Sequence, residues 1–136
     1  MSSCKMLHHL SLKHCSNLTD IGMIHVGTVL TLTDLDVSYC QNVGNDGAWA
    51  LTRLLCLLKL NISSTSVTDE GLKGLCAHLI YLNTFIISRT DITKECVEGI
   101  CGLKCLEVLD VSYTRIMADD MHSDDHFLRL VKVMKL

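Results

Sequence analysis

Eight cysteines, seven histidines and a run of aspartates are the residues in this chain best equipped for chemistry. The thiols are Cys4, Cys15, Cys40, Cys56, Cys76, Cys96, Cys101 and Cys105. A structural zinc site needs four converging ligands, usually from paired C-x-x-C or H-x-x-x-H spacings. No C-x-x-C occurs; Cys101 and Cys105 are four apart, and His78 follows Cys76 by two. The spacings supply no closed ligand set, so the cysteines read as small packing side chains. An even count also raises a disulfide framework. The N-terminal segment Met-Ser-Ser-Cys-Lys-Met-Leu-His-His-Leu lacks the continuous apolar core of a secretory signal, however. Free thiols in a reducing compartment, the cytoplasm or the nucleus, are expected. The sequons at Asn17 and Asn61 would then carry no glycan. Cys56 and Cys105 fall just before apolar repeat positions and should be the more exposed thiols.

The other ligand-like group is Asp119-Asp120-Met121-His122-Ser123-Asp124-Asp125-His126. His122 and His126 stand at i and i+4, one face of a helix. A solvated helix explains the pattern without a bound ion. Phosphate loops, dinucleotide-binding glycine patterns, G-x-S-x-G and H-E-x-x-H are all missing from the sequence. The expectation is no enzyme, no cofactor and no metal.

These residues are positioned by a repeat. The pattern apolar-x-apolar-x-x-(Cys or Thr) begins at Leu10, Leu35, Leu60, Phe85 and Leu109, so the steps are 25, 25, 25 and 24 residues. Each copy carries apolar residues three and six positions upstream, as at Leu54 and Leu57 before Leu60. A sixth, partial copy has Phe127, Leu130 and Val133. Alternation around Leu10-Ser11-Leu12 marks a short strand with its leucines inward. Leu72, Leu75, Cys76 and Leu79 follow at i, i+3, i+4 and i+7, one helix face. Thr68 stands as N-cap, with Asp69 and Glu70 in the dipole-favoured first turn. Gly22, Gly47 and Gly71 recur at one position, where Cys96 stands in the fourth copy. One strand and one helix cannot bury their own apolar faces, whereas stacked copies can. The expected fold is therefore an α/β solenoid of about five strand–helix coils of 24–25 residues. Its parallel sheet lines the concave face and its helices the convex face.

The segments Leu10-Ser11-Leu12-Lys13-His14-Cys15-Ser16-Asn17-Leu18-Thr19-Asp20-Ile21-Gly22-Met23 and Val67-Thr68-Asp69-Glu70-Gly71-Leu72 resemble leucine-rich repeats of the cysteine-containing subclass. That subclass occurs in F-box leucine-rich repeat adaptors. Thr65, Thr90 and Thr114 take the place of the subclass cysteine in the later copies. The resemblance implies a protein–protein interaction module, such as a substrate-recognition or adaptor subunit linked to ubiquitin ligation. The alternative is a structural or regulatory repeat fragment that assembles with other subunits through uncapped ends. The whole of residues 1–136 reads as one array, incomplete relative to a longer one, and its exposed ends could self-associate. Asp124 stands where Leu75 and Ile100 stand, so an altered coil is expected there.

Partners of such an array dock by default on the outward strand positions. Asp34, Asp36, Asn61, Ile86, Val108 and Asp110 occupy them, and Tyr39, Arg89 and Tyr113 come next on the rim. Tyr and Arg are enriched at binding hot spots. Ile86 and Val108 would form a small apolar patch. The aspartates favour a partner with basic groups. With 12 basic against 15 acidic residues, a polybasic nucleic-acid surface is not expected. The longest apolar run, residues 54–58, is far too short to span a membrane. With 49% hydrophobic but only 4% aromatic residues, the core must be aliphatic.

Overall fold

A computed structural model describes residues 6–121. Strands β1 (His9–Ser11), β2 (Asp34–Asp36), β3 (Lys59–Asn61), β4 (Thr84–Ile86) and β5 (Val108–Asp110) form one parallel sheet in sequence order. Helices α1 (Asp20–Val26), α2 (Asn45–Leu51) and α3 (Asp69–His78) come after the first three strands. After β4 comes a 3-10 turn, Lys94–Cys96, which runs into the short helix α4 (Val97–Cys101). A second 3-10 turn, Ala118–Met121, comes after β5. The expected solenoid is present, with five strand-led coils among the described residues.

The register matches the repeat residue for residue. Leu10, Leu35, Leu60, Phe85 and Leu109 lie side by side across the sheet. Leu35, Leu60, Phe85 and Leu109 are buried, as are Val37, Ile62, Ile87 and Val111 two positions on. Leu7, Leu10, Leu12 and Leu18 of the first coil are only partly buried against the same core. Among the described residues Phe85 is the one aromatic with a fully buried side chain, so the core there is aliphatic as composition requires. Among the described residues no helix is long and apolar enough to cross a membrane.

Side chains from the preceding coil hold the helix starts. Thr68 has the extended backbone of an N-cap, but its side chain makes no bond to its own helix. Instead Asn45 Oδ1 accepts from the backbone N–H groups of Thr68 (2.9 Å) and Gly71 (3.1 Å). One coil earlier, Asp20 Oδ1 accepts from Gly44 N (2.7 Å) and Gly47 N (3.0 Å). One coil later, Asp69 accepts from Thr93 N (2.8 Å) and Thr93 Oγ1 (2.7 Å). The first residue of α1, α2 and α3 thus satisfies donors at the start of the next helical segment.

Two of the recurrent glycines, Gly47 and Gly71, are explained by this ladder, whereas a Cβ on Gly22 would instead meet Leu18 Cδ1 at 2.7 Å. A Cβ on Gly47 would lie 2.5 Å from Asp20 Oδ1, and one on Gly71 2.6 Å from Asn45 Oδ1. The close approach is thus of a capping side chain to a helix backbone. Cys96 has a Cβ at the equivalent place, and Asp69 there bonds to the backbone and side chain of Thr93. Cys96 N turns to Thr93 O (3.2 Å), the backbone tightens to a 3-10 turn, and α4 is left with five residues.

Candidate protein-binding face

Outward strand side chains form two rows across the sheet. His9, Asp34, Lys59, Thr84 and Val108 make one; Ser11, Asp36, Asn61, Ile86 and Asp110 make the other. All six expected strand residues lie in these rows, each half-buried. The register fixes how they meet. Val108 faces Thr84 and Ile86 faces Asp110, so Ile86 and Val108 are diagonal neighbours on adjacent strands.

Three of the polar residues also close turns. Asp36 Oδ1 accepts from Ser38 N (2.9 Å), Asn61 Oδ1 from Ser63 N (3.0 Å) and Asp110 Oδ1 from Ser112 N (3.0 Å). Ser112 Oγ donates to the same Asp110 oxygen at 2.6 Å. These are Asx turns that bend the chain out of the strand. Asp34 Oδ2 lies 3.5 Å from His9 Nδ1. The acidic element is therefore partly committed to the scaffold.

Beyond the turns the backbone does something that the repeat pattern alone does not announce. His14, Tyr39, Ser64, Arg89 and Tyr113 all have positive φ, between 55° and 63°. The left-handed conformation is costly for residues with a Cβ. Bonding to the next coil sustains it at four of the five: His14 N donates to Ser38 O, Tyr39 N to Ser63 O, Ser64 N to Ser88 O and Arg89 N to Ser112 O, at 2.9–3.0 Å. Five side chains are thereby presented in one column along the rim.

The column divides into two clusters. Tyr39 stacks on His14 with ring centroids 4.4 Å apart and planes 19° from parallel, and Lys13 Nζ lies 5.6 Å from the Tyr39 ring. Arg89 holds its guanidinium 4.2 Å from the Tyr113 ring centroid. The small side chain of Ser64 separates the pairs. Arg89 and Tyr113 therefore meet, whereas Tyr39 belongs with His14 and Lys13. His14 shares the repeat offset of the selected rim residues and Lys13 adjoins it, which is the signal that would have found them. Arg115, on the neighbouring loop, pairs with Asp91 at 3.1 Å and borders the same hollow as Arg89 and Tyr113.

The strand-exit Cys/Thr position behaves as a packing corner. Thr65, Thr90 and Thr114 each donate a 2.7 Å bond to the carbonyl three residues back, and Cys40 Sγ lies 3.1 Å from Leu12 O. Cys40 is buried, while Cys15 is exposed. Burial pushes the Cys40, Cys76 and Cys96 thiols up, that of Cys76 to about 12. Cys56 and Cys105 are exposed, as expected from their repeat positions. Among the described residues no group of three His, Cys, Asp or Glu side chains is placed to hold a metal ion. The cluster with His122 and His126, the partial copy from Phe127 and the altered coil at Asp124 lie outside the described residues.

Coils of 24–25 residues, each led by a short parallel strand whose inward leucine stacks on the next, define a leucine-rich solenoid. The chain belongs to the leucine-rich repeat family: that family's model, described as "Leucine Rich repeat", matches residues 3–26, 30–51 and 54–76. No curated protein matches the sequence. Among solved structures, the chain is similar to leiomodin-1 actin-binding site 2, with a TM-score of 0.69 and 12% identity over 96% of this chain and 84% of that one. It is also similar to internalin C2 from Listeria monocytogenes str. 4b F2365, with a TM-score of 0.55 and 19% identity over 97% of this chain and 70% of that one. At those identities the likeness is one of fold.

Proposed function

We propose that this chain is a protein-binding module that captures its partner on the concave sheet and the adjoining rim, without catalysis. The observation that carries this reading is the rim column: five left-handed residues, two of them tyrosines and one an arginine, presented side by side. Stacking fixes the Tyr39 ring and the Arg89 guanidinium before any partner arrives, which lowers the entropy lost on binding. Asp34, Asp36, Asn61, Ile86, Val108 and Asp110 supply the floor. A partner with basic groups suits the aspartates.

Within this reading the finer role is substrate recognition for a ubiquitin ligase, in the cytoplasm or nucleus. It is supported by the resemblance to cysteine-containing repeats, with Cys15 and Cys40 at the same repeat position. The similar leiomodin-1 chain is an actin-binding site, so actin is a client to score alongside ligase subunits.

The test is affinity capture from cell extract, with the intact chain compared to the Tyr39→Ala/Arg89→Ala/Tyr113→Ala variant. All three side chains are exposed, so the variant should keep its fold by circular dichroism. A set of proteins lost with the variant supports the rim as the binding face; ligase subunits in that set support the finer role. The same set captured by both chains moves the site elsewhere.

A further inference from the structure

The convex-to-concave edge opposite the rim carries a second column, at the turns that lead from each helix into the next strand. Leu30, Leu55 and Ile80 each stand five residues before the inward residue of their strand. They are 53%, 57% and 51% exposed. Their turns match. Leu32 N, Leu57 N and Leu82 N bond to the carbonyls of Val29, Leu54 and Leu79, and the strands after them start in matching register. The three side chains therefore recur at one position per coil, each exposed. Tyr81 (56% exposed) and Leu58 (41% exposed) widen the patch. Single exposed leucines are ordinary on soluble proteins, but exposed aliphatic residues repeated at one position in successive coils, with exposed apolar neighbours, point to an interface.

We infer that this column is a second docking surface, separate from the concave face, and that its occupant is an amphipathic α-helix of a partner protein, apolar toward the column and acidic along its flank. Two features select that occupant. The first is spacing. Adjacent coils repeat at about 4.8 Å at the strands, and a helix presents one residue per turn about every 5.4 Å. A helix lying along the stack sets residues i, i+4 and i+7 against Leu30, Leu55 and Ile80 with a mismatch of roughly 1 Å across the column. An extended segment offers same-side residues about 6.8 Å apart and falls out of step by the third coil. The second is charge. Arg53 stands two residues before Leu55, is exposed, and is not paired with a carboxylate among the described residues. The next rung of the column, in the fifth coil, is Lys104.

The probe is a labelled helical peptide with leucines at i, i+4 and i+7 and glutamates beside them, titrated by fluorescence anisotropy against the whole chain. Saturable binding is expected, at least about tenfold weaker for Leu55→Glu and unchanged for Tyr39→Ala/Tyr113→Ala. A peptide with lysines in place of the glutamates should bind more weakly. Circular dichroism checks each variant, and Leu55→Ser serves if Leu55→Glu is misfolded. No saturable binding up to millimolar peptide overturns the proposal. So does equal binding of a scrambled peptide or of the lysine peptide. A wild-type dimer in sedimentation that Leu55→Glu dissolves would make a second copy the occupant, and capture by anionic vesicles alone would make it a membrane; either overturns the helix.

Discussion

Asp20 and Gly47 show how one residue's side chain is fitted to the next coil's backbone. Asp20 spends one carboxylate oxygen on two N–H groups at the start of α2, and Gly47 leaves room for it. Charge-assisted bonds to helix-start donors are stronger than neutral ones. Asp20→Ala should therefore cost about 1–3 kcal/mol, because both donors lose their acceptor. Asp20→Asn should cost little, since Asn45 does the same job one coil later. Urea unfolding of the two variants decides. A loss below about 0.5 kcal/mol for the alanine variant would show that water replaces the cap.

Elements were legible in proportion to how local their causes are. The strands could be read from Leu-x-Leu alternation, and α3 from its i, i+3, i+4, i+7 face. The capping ladder was not legible, because it joins residues about one coil apart and Thr68 carries the local cap signature. The paired rim clusters needed the left-handed turns, which no glycine or asparagine marks in the sequence. In the fourth coil Cys96 replaces the ladder's glycine. The result is a 3-10 turn, a five-residue α4, and two buried thiols, Cys76 and Cys96, at the junction with α3. This junction has a pH signature. The folded Cys76 thiol titrates at about 12 against an ordinary 9.0, so the folded form holds its proton longer than the unfolded one. Its contribution to stability is intact below pH 9 and is lost as pH rises toward 12. The loss is on the order of 4 kcal/mol at the top of that range. Unfolding free energies of the wild type and Cys76→Ala, measured from about pH 8 to about pH 11, should converge as pH rises. A constant gap between them would mean that Cys76 is not desolvated in solution.

At the scale of the whole molecule, stability is carried by contacts between adjacent coils, since no coil has a core of its own. Leu60 is the sharpest probe of that arrangement. It is 1% exposed, centred on β3, with Leu35 on one side in register and Phe85 on the other. Truncating it opens a cavity that faces two coil–coil interfaces at once, in a layer where neighbours are held by strand bonding and cannot close in. Leu60→Ala should cost about 2–5 kcal/mol. Lys59→Ala, on the same strand but pointing out, should stay within about 0.5 kcal/mol. Because the cavity lies mid-stack, the loss should appear as a shift of one cooperative urea transition rather than as a new early phase from either end. A loss below about 0.5 kcal/mol for Leu60→Ala, or equal losses at Leu60 and Lys59, would contradict the register. A split transition would instead mean that coils on the two sides of β3 unfold independently, and the array would then be two cooperative blocks joined at Leu60.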